Sequence, residues 1–292
     1  MKDIYKRELS SYFNNMIGPV VIAFMMAVVG LYFMSINLFS GYPSFAKTLE
    51  SALFLFLVGI PVLTMRSVAE DRRTRTDQLL LTAPVSTTSV ILGKYFALLT
   101  VFAIPTALFC LCPLIMKLAS GADGQVYFLT DYASIFCFFL LGALYIAIGV
   151  LISSLTESQI LSMVGTFAVL MVLYLWKSIL DFFPTSAGGN LVLLVVVVVL
   201  LALLLESLTG SRFVSGVFGG VCVVALMVVY LVKSSLFEGL CADVLGYFTL
   251  SQVLTNFSSN QLFDLAGVLM YLSLTALMLF LTVQVIQRRR YS

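Results

Sequence analysis

Blocks of about twenty consecutive apolar residues recur along this chain, and no other feature constrains its fold as strongly. A helix needs about twenty such residues to cross a hydrocarbon core about 30 Å thick. The chain has 292 residues, of which 61% are hydrophobic and only 10% are charged. A soluble domain of this size would need more charged residues to cover its surface. The sequence therefore predicts an all-α, polytopic integral membrane protein built as a helical bundle.

The apolar blocks predict about eight transmembrane helices within a single transmembrane domain that covers residues 1–292. Three prolines, Pro61, Pro105 and Pro113, fall inside blocks, where neighbouring helices can satisfy the freed carbonyl groups. The sixth block is the shortest, so six helices, without the sixth and seventh blocks, remain an open alternative. The eight predicted spans are residues 17–36, 51–68, 90–116, 132–154, 159–180, 191–205, 213–232 and 265–287.

The distribution of positive charge predicts the orientation of these spans. If the N-terminus is inside, only four of the 16 lysines and arginines lie outside, namely Lys47, Lys117, Lys177 and Lys233. Cytoplasmic loops of membrane proteins carry just such an excess of positive charge. Six or eight spans both return the chain to the side on which it started. Both termini are therefore predicted to be cytoplasmic.

The residue types that are missing exclude several kinds of chemistry. The chain has no histidine, which excludes imidazole metal ligands, a Ser-His-Asp triad and histidine proton relays. It has no GxxxxGK[ST] phosphate-binding loop, so any ATP chemistry requires a partner chain. Its net charge of +2, without a long Lys/Arg tract, argues against a nucleic-acid partner. We predict no enzyme activity, metal or cofactor on this chain.

Two polar segments interrupt the apolar blocks. The first, residues 66–89, is predicted to be cytoplasmic and has five charges among the six residues from Glu70 to Arg75. A short amphipathic helix here would be stopped by Pro84 and could enter a groove on a soluble partner. The alternative is a solvated loop whose positive charge only fixes topology. The second, residues 233–264, is predicted to lie outside as an amphipathic helix in the membrane interface. Its apolar residues are Leu240, Val244, Tyr247, Phe248, Val253 and Phe257.

Two further features are informative. The N-terminus, MKDIYKRELSSYF, is a charged amphipathic stretch without a cleavage site, so the first span is predicted to be retained. Gly142, Gly149 and Gly165 predict close helix contacts, with a dimer seam as one alternative.

Three stretches carry a resemblance to a known family. They are IYKRELSSYFNNMIGPV at residues 4–20, IPVLTMRSVAEDRRTRTDQLLLTAPVS at 60–86 followed by LGK at 92–94, and YLSLTALMLFLTVQVIQRRR at 271–290. They resemble the permease subunits of ABC-2 type transporters, in the branch near the gliding-motility and copper-processing permeases. The chain departs from the family pattern at Arg75, where a glycine is usual, and at Gln78, where a glutamate is usual.

The resemblance implies a multi-pass permease in a bacterial plasma membrane that pairs with a second permease, identical or different. Each permease would be seated on a separate ABC ATPase, which binds ATP and Mg²⁺, and residues 66–89 would contain the coupling helix. The residues assigned to this coupling are Glu70, Asp71, Arg72, Arg73, Thr76, Leu79, Leu80, Pro84 and Glu157. The residues assigned to an amphipathic N-terminal elbow are Lys6, Arg7, Glu8, Tyr12 and Phe13.

More than one function is compatible with such a chain. A permease of this kind could export a substrate or pass ATP-driven motion to an accessory protein on the outer side. A secondary transporter without an ATPase is the alternative, but such carriers place ionisable residues at the bilayer midplane. Here nearly every charge falls at the end of a span. The sequence identifies no substrate, although the apolar walls suit lipid or another amphiphile.

Overall fold

A computed structural model describes residues 1–76, 86–120, 127–184, 186–209, 249–260 and 264–291, with shorter stretches between 220 and 247. The described residues are helical and include no strand. Five helical stretches are long and apolar enough to cross a membrane: Ile17–Phe39, Thr87–Ala119, Phe128–Leu155, Gln159–Leu180 and Leu265–Arg288. The prediction of an all-α, polytopic membrane protein is confirmed.

The chain divides into two compact units, one comprising Met1–Tyr174 with Leu250–Ser292 and the other Leu175–Thr249. The helices of the first unit follow in chain order. They are α1 (Lys2–Asn14), α2 (Ile17–Tyr32), α3 (Ala46–Ser51), α4 (Leu55–Thr64), α5 (Ala69–Arg73), α6 (Thr87–Phe109), α7 (Cys112–Ser120), α8 (Phe128–Leu155) and α9 (Gln159–Tyr174), and, after the second unit, α12 (Ser251–Thr255) and α13 (Leu265–Tyr291). A π-helical segment, Phe33–Phe39, extends α2.

The second unit contains α10 (Trp176–Leu180), α11 (Ala187–Thr209) and a 3₁₀ turn at Ser234–Phe237. Helix α11 has 23 residues, so it extends beyond both ends of the predicted sixth span. The indole nitrogen of Trp176 donates a hydrogen bond to the carbonyl of Leu245 at 3.0 Å. Most of the predicted seventh span, 213–232, lies outside the described residues.

The predicted second span is broken into short helices rather than formed by one. Turns at residues 52–54 and 65–68 separate α3, α4 and α5. Pro61 lies inside α4 and lacks the N–H group that a continuous helix would use. A run of apolar residues shows that a segment can cross a bilayer. Whether the segment forms one helix or several depends on the tertiary contacts at its two ends.

Both ends of this broken segment are held by the same helix, α8. At one end, Asp131 in the first turn of α8 accepts hydrogen bonds from the N–H groups of Phe45 at 2.8 Å and Ala46 at 3.4 Å. At the other end, Ser153 in the last turn accepts from Val68 and Ala69 at 3.1 and 3.0 Å. These two residues of α8 are about 33 Å apart at 1.5 Å per residue. The broken segment therefore runs the length of α8.

Helix α8 forms the centre of the first unit, and two of its glycines allow neighbours to approach closely. A Cβ atom added at Gly142 would lie 2.2 Å from the ring of Phe102 on α6. One added at Gly149 would lie 2.4 Å from the hydroxyl of Thr64 on α4. A Cβ at Gly165 would lie 3.1 Å from Ile152. The prediction of close helix contacts at these glycines is confirmed, and the contacts lie within one chain.

Several chain segments meet at one end of the first unit, which we call the α5 end. The broken segment reaches this end at α5, beside the last turn of α8. Helix α1 and the first turns of α6 also lie there, because Lys94 of α6 contacts Glu8 of α1. The amide of Gln287, near the end of α13, donates to Thr87 at 3.5 Å. Helices α1 and α13 thus both contact α6 at this end. That both termini are cytoplasmic stays a prediction.

The segment predicted as an outer amphipathic helix is not one continuous helix in its described part. Val253 and Phe257 are 4% and 1% exposed, so these two side chains pack against protein. The place of the segment at the outer membrane interface stays a prediction. A Cβ added at Gly267 of α13 would lie 2.4 Å from Val253, which shows how closely α12 packs there. Val244 and Tyr247 are exposed, and Leu240 and Phe248 lie outside the described residues. The apolar side chains of Val253 and Phe257 are thus buried by other parts of the protein.

Glu50, at the end of α3, anchors this segment. Its carboxylate accepts hydrogen bonds from Ser258 at 2.6 Å and Thr255 at 3.3 Å, and it pairs with Lys47 at 2.8 Å. Partial burial disfavours the charged carboxylate, but the hydrogen bonds from Lys47, Ser258 and Thr255 outweigh it and lower the pKa of Glu50. The charged form of Glu50 is therefore part of the folded structure at neutral pH.

Candidate coupling surface at the α5 end

Helix α5 is a single turn held at both of its ends. The hydroxyl of Ser153 accepts the N–H groups of Val68 and Ala69, which a five-residue helix cannot satisfy itself. After the helix, Arg75 adopts a left-handed backbone with φ of 56°. The N–H of Thr76 then returns to the carbonyl of Asp71 at 2.9 Å. The described part of the predicted coupling helix therefore ends at Arg73 in a tight turn.

The left-handed turn lies at one departure from the family pattern. Glycine adopts a positive φ at little cost, whereas other residues are disfavoured there. Arg75 stands where the resembled family usually has glycine, and its φ lies in that region. The backbone shape is thus the one that glycine favours, although the residue is arginine.

The charged residues of this segment have different surroundings. The guanidinium of Arg66 donates to both carboxylate oxygens of Glu70 one turn later. This hydrogen bonding raises the pKa of Arg66 against the opposing effect of burial. Arg72 is 9% exposed and donates to the carbonyl of Thr156 at 3.5 Å, in the turn between α8 and α9. Arg73, by contrast, is exposed to its surroundings.

Lys94 joins the remaining acidic residue of α5 to α1. Its ammonium lies 2.7 Å from Asp71 and 2.9 Å from Glu8, and it donates to the carbonyl of Ser67 at 2.6 Å. The lysine side chain is only 4% exposed. Charged groups are rarely buried unless they are paired, and here one ammonium is paired with two carboxylates.

Helix α1 packs along α6 with one face. Ile4, Tyr5, Glu8 and Tyr12 lie on this face because residues four apart are neighbours on a helix. The hydroxyl groups of Tyr5 and Thr100 form a hydrogen bond of 3.0 Å. Burial raises the pKa of Tyr12, which is 5% exposed, so this phenol stays protonated.

The opposite face of α1 is open. Lys6, Arg7 and Phe13 of the predicted elbow are exposed, in contrast to Glu8 and Tyr12. The guanidinium of Arg7 lies 2.9 Å from Glu8, and this hydrogen bond raises the pKa of Arg7.

The structure brings together most of the described residues that the sequence assigned to coupling. Asp71 is paired with α6, Arg72 donates to the turn after α8, and Glu70 is paired within its own segment. Arg73 and Thr76 are exposed. Glu157 is exposed in the turn whose neighbouring residue, Thr156, accepts the hydrogen bond from Arg72. Leu79, Leu80 and Pro84 lie outside the described residues. The coupling role of all these residues stays a prediction.

Sequence reasoning missed the roles of Ser153 and Lys94. Serine is common in membrane helices, so Ser153 gave no signal. Lys94 did give one, because an ionisable residue near an apolar block is a functional-site hypothesis by default. In the sequence it entered only the charge distribution and the family resemblance, and neither indicates its partners.

This geometry fixes α5 relative to three other helices. Its two carboxylates are paired with Arg66 and Lys94. Within the described part of the chain no three His, Cys, Asp or Glu residues are grouped to hold a metal ion. The site presents a supported, exposed turn.

Comparison with known proteins decides the family. A family model described as ABC-2 family transporter protein matches residues 31–197, more than half of the chain. The chain belongs to the ABC-2 transporter family. A search of curated proteins found no match. The matched range includes α5, Lys94 and the turn after α8. As a family member, the permease is a multi-pass membrane transport subunit. Its place near the gliding-motility and copper-processing branch stays a prediction.

Proposed function

We propose that this permease couples ATP hydrolysis by a separate ABC ATPase to work across a bacterial plasma membrane, and that the ATPase binds at the α5 end. The observation that carries the proposal is the state of α5. Its helical turn is ion-paired to Lys94 of α6 and hydrogen-bonded to Ser153 at the end of α8, while residues 73–76 are exposed. Lys94 in turn pairs with Glu8 of α1. A docking element needs both properties: it must be accessible to a partner and rigid enough to transmit a push.

The contacts of α5 supply routes into the membrane-spanning helices. Through Ser153, α5 is attached to α8, the central helix of the unit. Through Arg72 and Thr156 it is attached to the turn between α8 and α9. Hydrogen bonds and ion pairs between rigid helices are the kind of network that carries coupling between distant sites.

The chemistry of the exposed tip indicates how a partner is recognised. Glu70 and Asp71 are engaged with Arg66 and Lys94, whereas Arg73 and Arg75 extend from the turn. Exposed charges of this kind contribute mainly to association rate and specificity. We expect the ATPase to receive the tip in a groove that contacts these arginines and Glu157.

The remaining parts of the proposal concern partners. ATP and Mg²⁺ would bind to the ATPase and not to this chain. The exposed apolar residues along α9, such as Ile160, Val164 and Phe167, suit contact with lipid or with a second permease, identical or different. The work done is either export of a substrate or mechanical transmission to an accessory protein outside.

Purification of the tagged permease from its native membrane in mild detergent tests the proposal. We expect an ABC ATPase to co-purify stoichiometrically and the permease to alter its rate of ATP hydrolysis. Reversing the charge at Arg73 (R73E) should reduce this effect about tenfold, the size of a typical coupling energy. Lys177→Glu, an exposed reversal on α10, serves as the matched control. A permease that purifies alone, or an R73E variant that behaves like the control, would contradict the proposal.

A further inference from the structure

Lys94 lies where three separate elements meet. It is part of α6, but its two counter-ions come from elsewhere, Glu8 from α1 and Asp71 from α5. The carboxylate side chains are themselves largely buried, at 13% and 19% exposed, against 4% for the lysine. In addition, Lys94 donates to the carbonyl of Ser67, in the turn that leads into α5.

The surrounding charges balance around this contact. Three cations, Arg7, Arg66 and Lys94, are paired with three carboxylates, Glu8, Glu70 and Asp71. Two of these pairs, Arg7 with Glu8 and Arg66 with Glu70, are formed within a single segment. Lys94 is the cation whose pairs cross between elements.

Burial makes these crossing pairs hard to break. Removing one partner from a buried ion pair leaves a charge without water or counter-ion, which is far more unfavourable than losing an exposed pair. If α5 moved away from α6, Asp71 would leave Lys94. If α1 moved away, Glu8 would leave it. Separation of either helix is therefore opposed by the same ammonium group.

Packing reinforces the link between α1 and α6. A Cβ atom added at Gly93, next to Lys94, would lie 3.2 Å from Ile4 of α1. Tyr5 and Thr100 add a hydrogen bond further along. Helix α1 thus lies against α6 on both sides of the Lys94 contact.

We propose that Lys94 is a positioning residue for coupling: its ammonium ties α5 to α1 and α6, so a push on α5 moves all three as one body. This inference rests on the proposed function, because it assumes that an ATPase supplies the push. The N-terminal helix then takes part in transmission in addition to resting at the membrane surface.

Amide hydrogen exchange on the purified permease alone tests the mechanical link. Lys94→Met removes the charge with little change in side-chain length. We expect exchange to accelerate about tenfold in both α1 and α5, as a coupling of typical size would give. Lys2→Met, which removes an exposed lysine from α1, should leave exchange in α5 unchanged. Acceleration in only one helix, or in neither, overturns the proposal.

A second variant separates positioning from folding. Lys94→Met strands two buried carboxylates, so it could simply destabilise the protein. The triple variant Glu8→Gln, Asp71→Asn, Lys94→Met removes all three charges together, and replacing a buried ion cluster by neutral groups is often tolerated. We expect this variant to assemble with the ATPase and to leave its KM for ATP unchanged, while permease-dependent kcat falls about tenfold. Full kcat in the triple variant would show that Lys94 serves folding alone.

Failure of this inference and failure of the proposed function give different results. If the wild-type permease neither binds an ATPase nor alters its turnover, the proposed function fails, and hydrogen exchange on the permease alone still decides whether Lys94 ties the helices. If the wild type does couple and the triple variant couples equally well, only the role of Lys94 is overturned.

Discussion

Replacement of Gly142 by alanine should disrupt the packing of α8 against α6. The added methyl group would lie 2.2 Å from the ring of Phe102, whereas ordinary contact begins at 3.4 Å. The ring would have to move by about 1.2 Å. Phe102 is 1% exposed, and Phe56, Phe138 and Phe139 lie around it with ring centroids 5.9 to 6.4 Å away. The ring therefore has no free space to enter.

The expected cost follows from overpacking. Forcing one extra methyl group into a packed core costs typically about 1–3 kcal/mol, occasionally more. The rigid aromatic surroundings place Gly142→Ala toward the upper end of that range. A second change, Phe102→Leu, should recover part of the loss in the Gly142→Ala background, because the smaller side chain leaves room for the methyl group. Such non-additivity is expected only for residues in direct contact.

Equilibrium unfolding in mixed detergent micelles, followed by loss of helical circular dichroism, measures the effect. Gly30→Ala is the matched control, since it is also a helical glycine but has no heavy atom within 4 Å of the added Cβ. We expect the control to be neutral or up to about 1 kcal/mol more stable, because alanine restricts the unfolded chain. If Gly142→Ala were as stable as Gly30→Ala, the close approach of α6 and α8 would be refuted.

Three further changes test separate contacts. Arg75→Gly should stabilise the protein by about 0.5–1 kcal/mol, because relief of the strain at a positive φ exceeds the entropy that glycine adds to the unfolded chain. A loss of stability in the same unfolding assay would argue against that turn. Ser153→Ala should cost about 1–2 kcal/mol and speed amide exchange in α5, since it removes a helix cap; unchanged exchange would mean that the cap is dispensable. Glu50→Gln concerns pH. The folded pKa of Glu50 is lowered, so its stabilisation is present above its usual value of 4.5 and is lost as pH falls through the folded pKa. The wild type should lose more stability than Glu50→Gln over that acidic range, and parallel pH profiles would contradict the assignment.

The helical membrane fold was predictable because the signals for it are local. The length and hydropathy of each apolar block are enough to predict that it can cross a bilayer. Helices α6, α8, α9 and α13 all occur where blocks predict spans. The second block was predicted as one helix and proved broken. Its breaks depend on Asp131 and Ser153, which are distant in sequence and cap α3 and α5.

The candidate site also has features that the sequence shows and features that only the structure shows. The cluster of charge at Glu70 to Arg75 is visible in sequence and marks the exposed turn. The sequence did not show which of the five charged residues are paired with other helices and which are exposed, because it gives the sign of each charge but not its partner. Val253 and Phe257 likewise read as residues for a lipid interface, yet they are buried against protein. An apolar side chain is equally suited to both surroundings, so composition cannot choose between them.

By itself, the sequence determined that this chain is an integral membrane protein without a phosphate-binding loop. It also showed where polar segments interrupt the apolar blocks. Hydropathy and charge are properties of single segments, so they can be read without a partner. Only the tertiary structure decided which charges are paired. Glu8 and Lys94 are 86 residues apart, and Val68 and Ser153 are 85 apart. Contacts over such distances arise when whole helices pack, and the free energy of a buried charge depends on the groups that this packing brings to it.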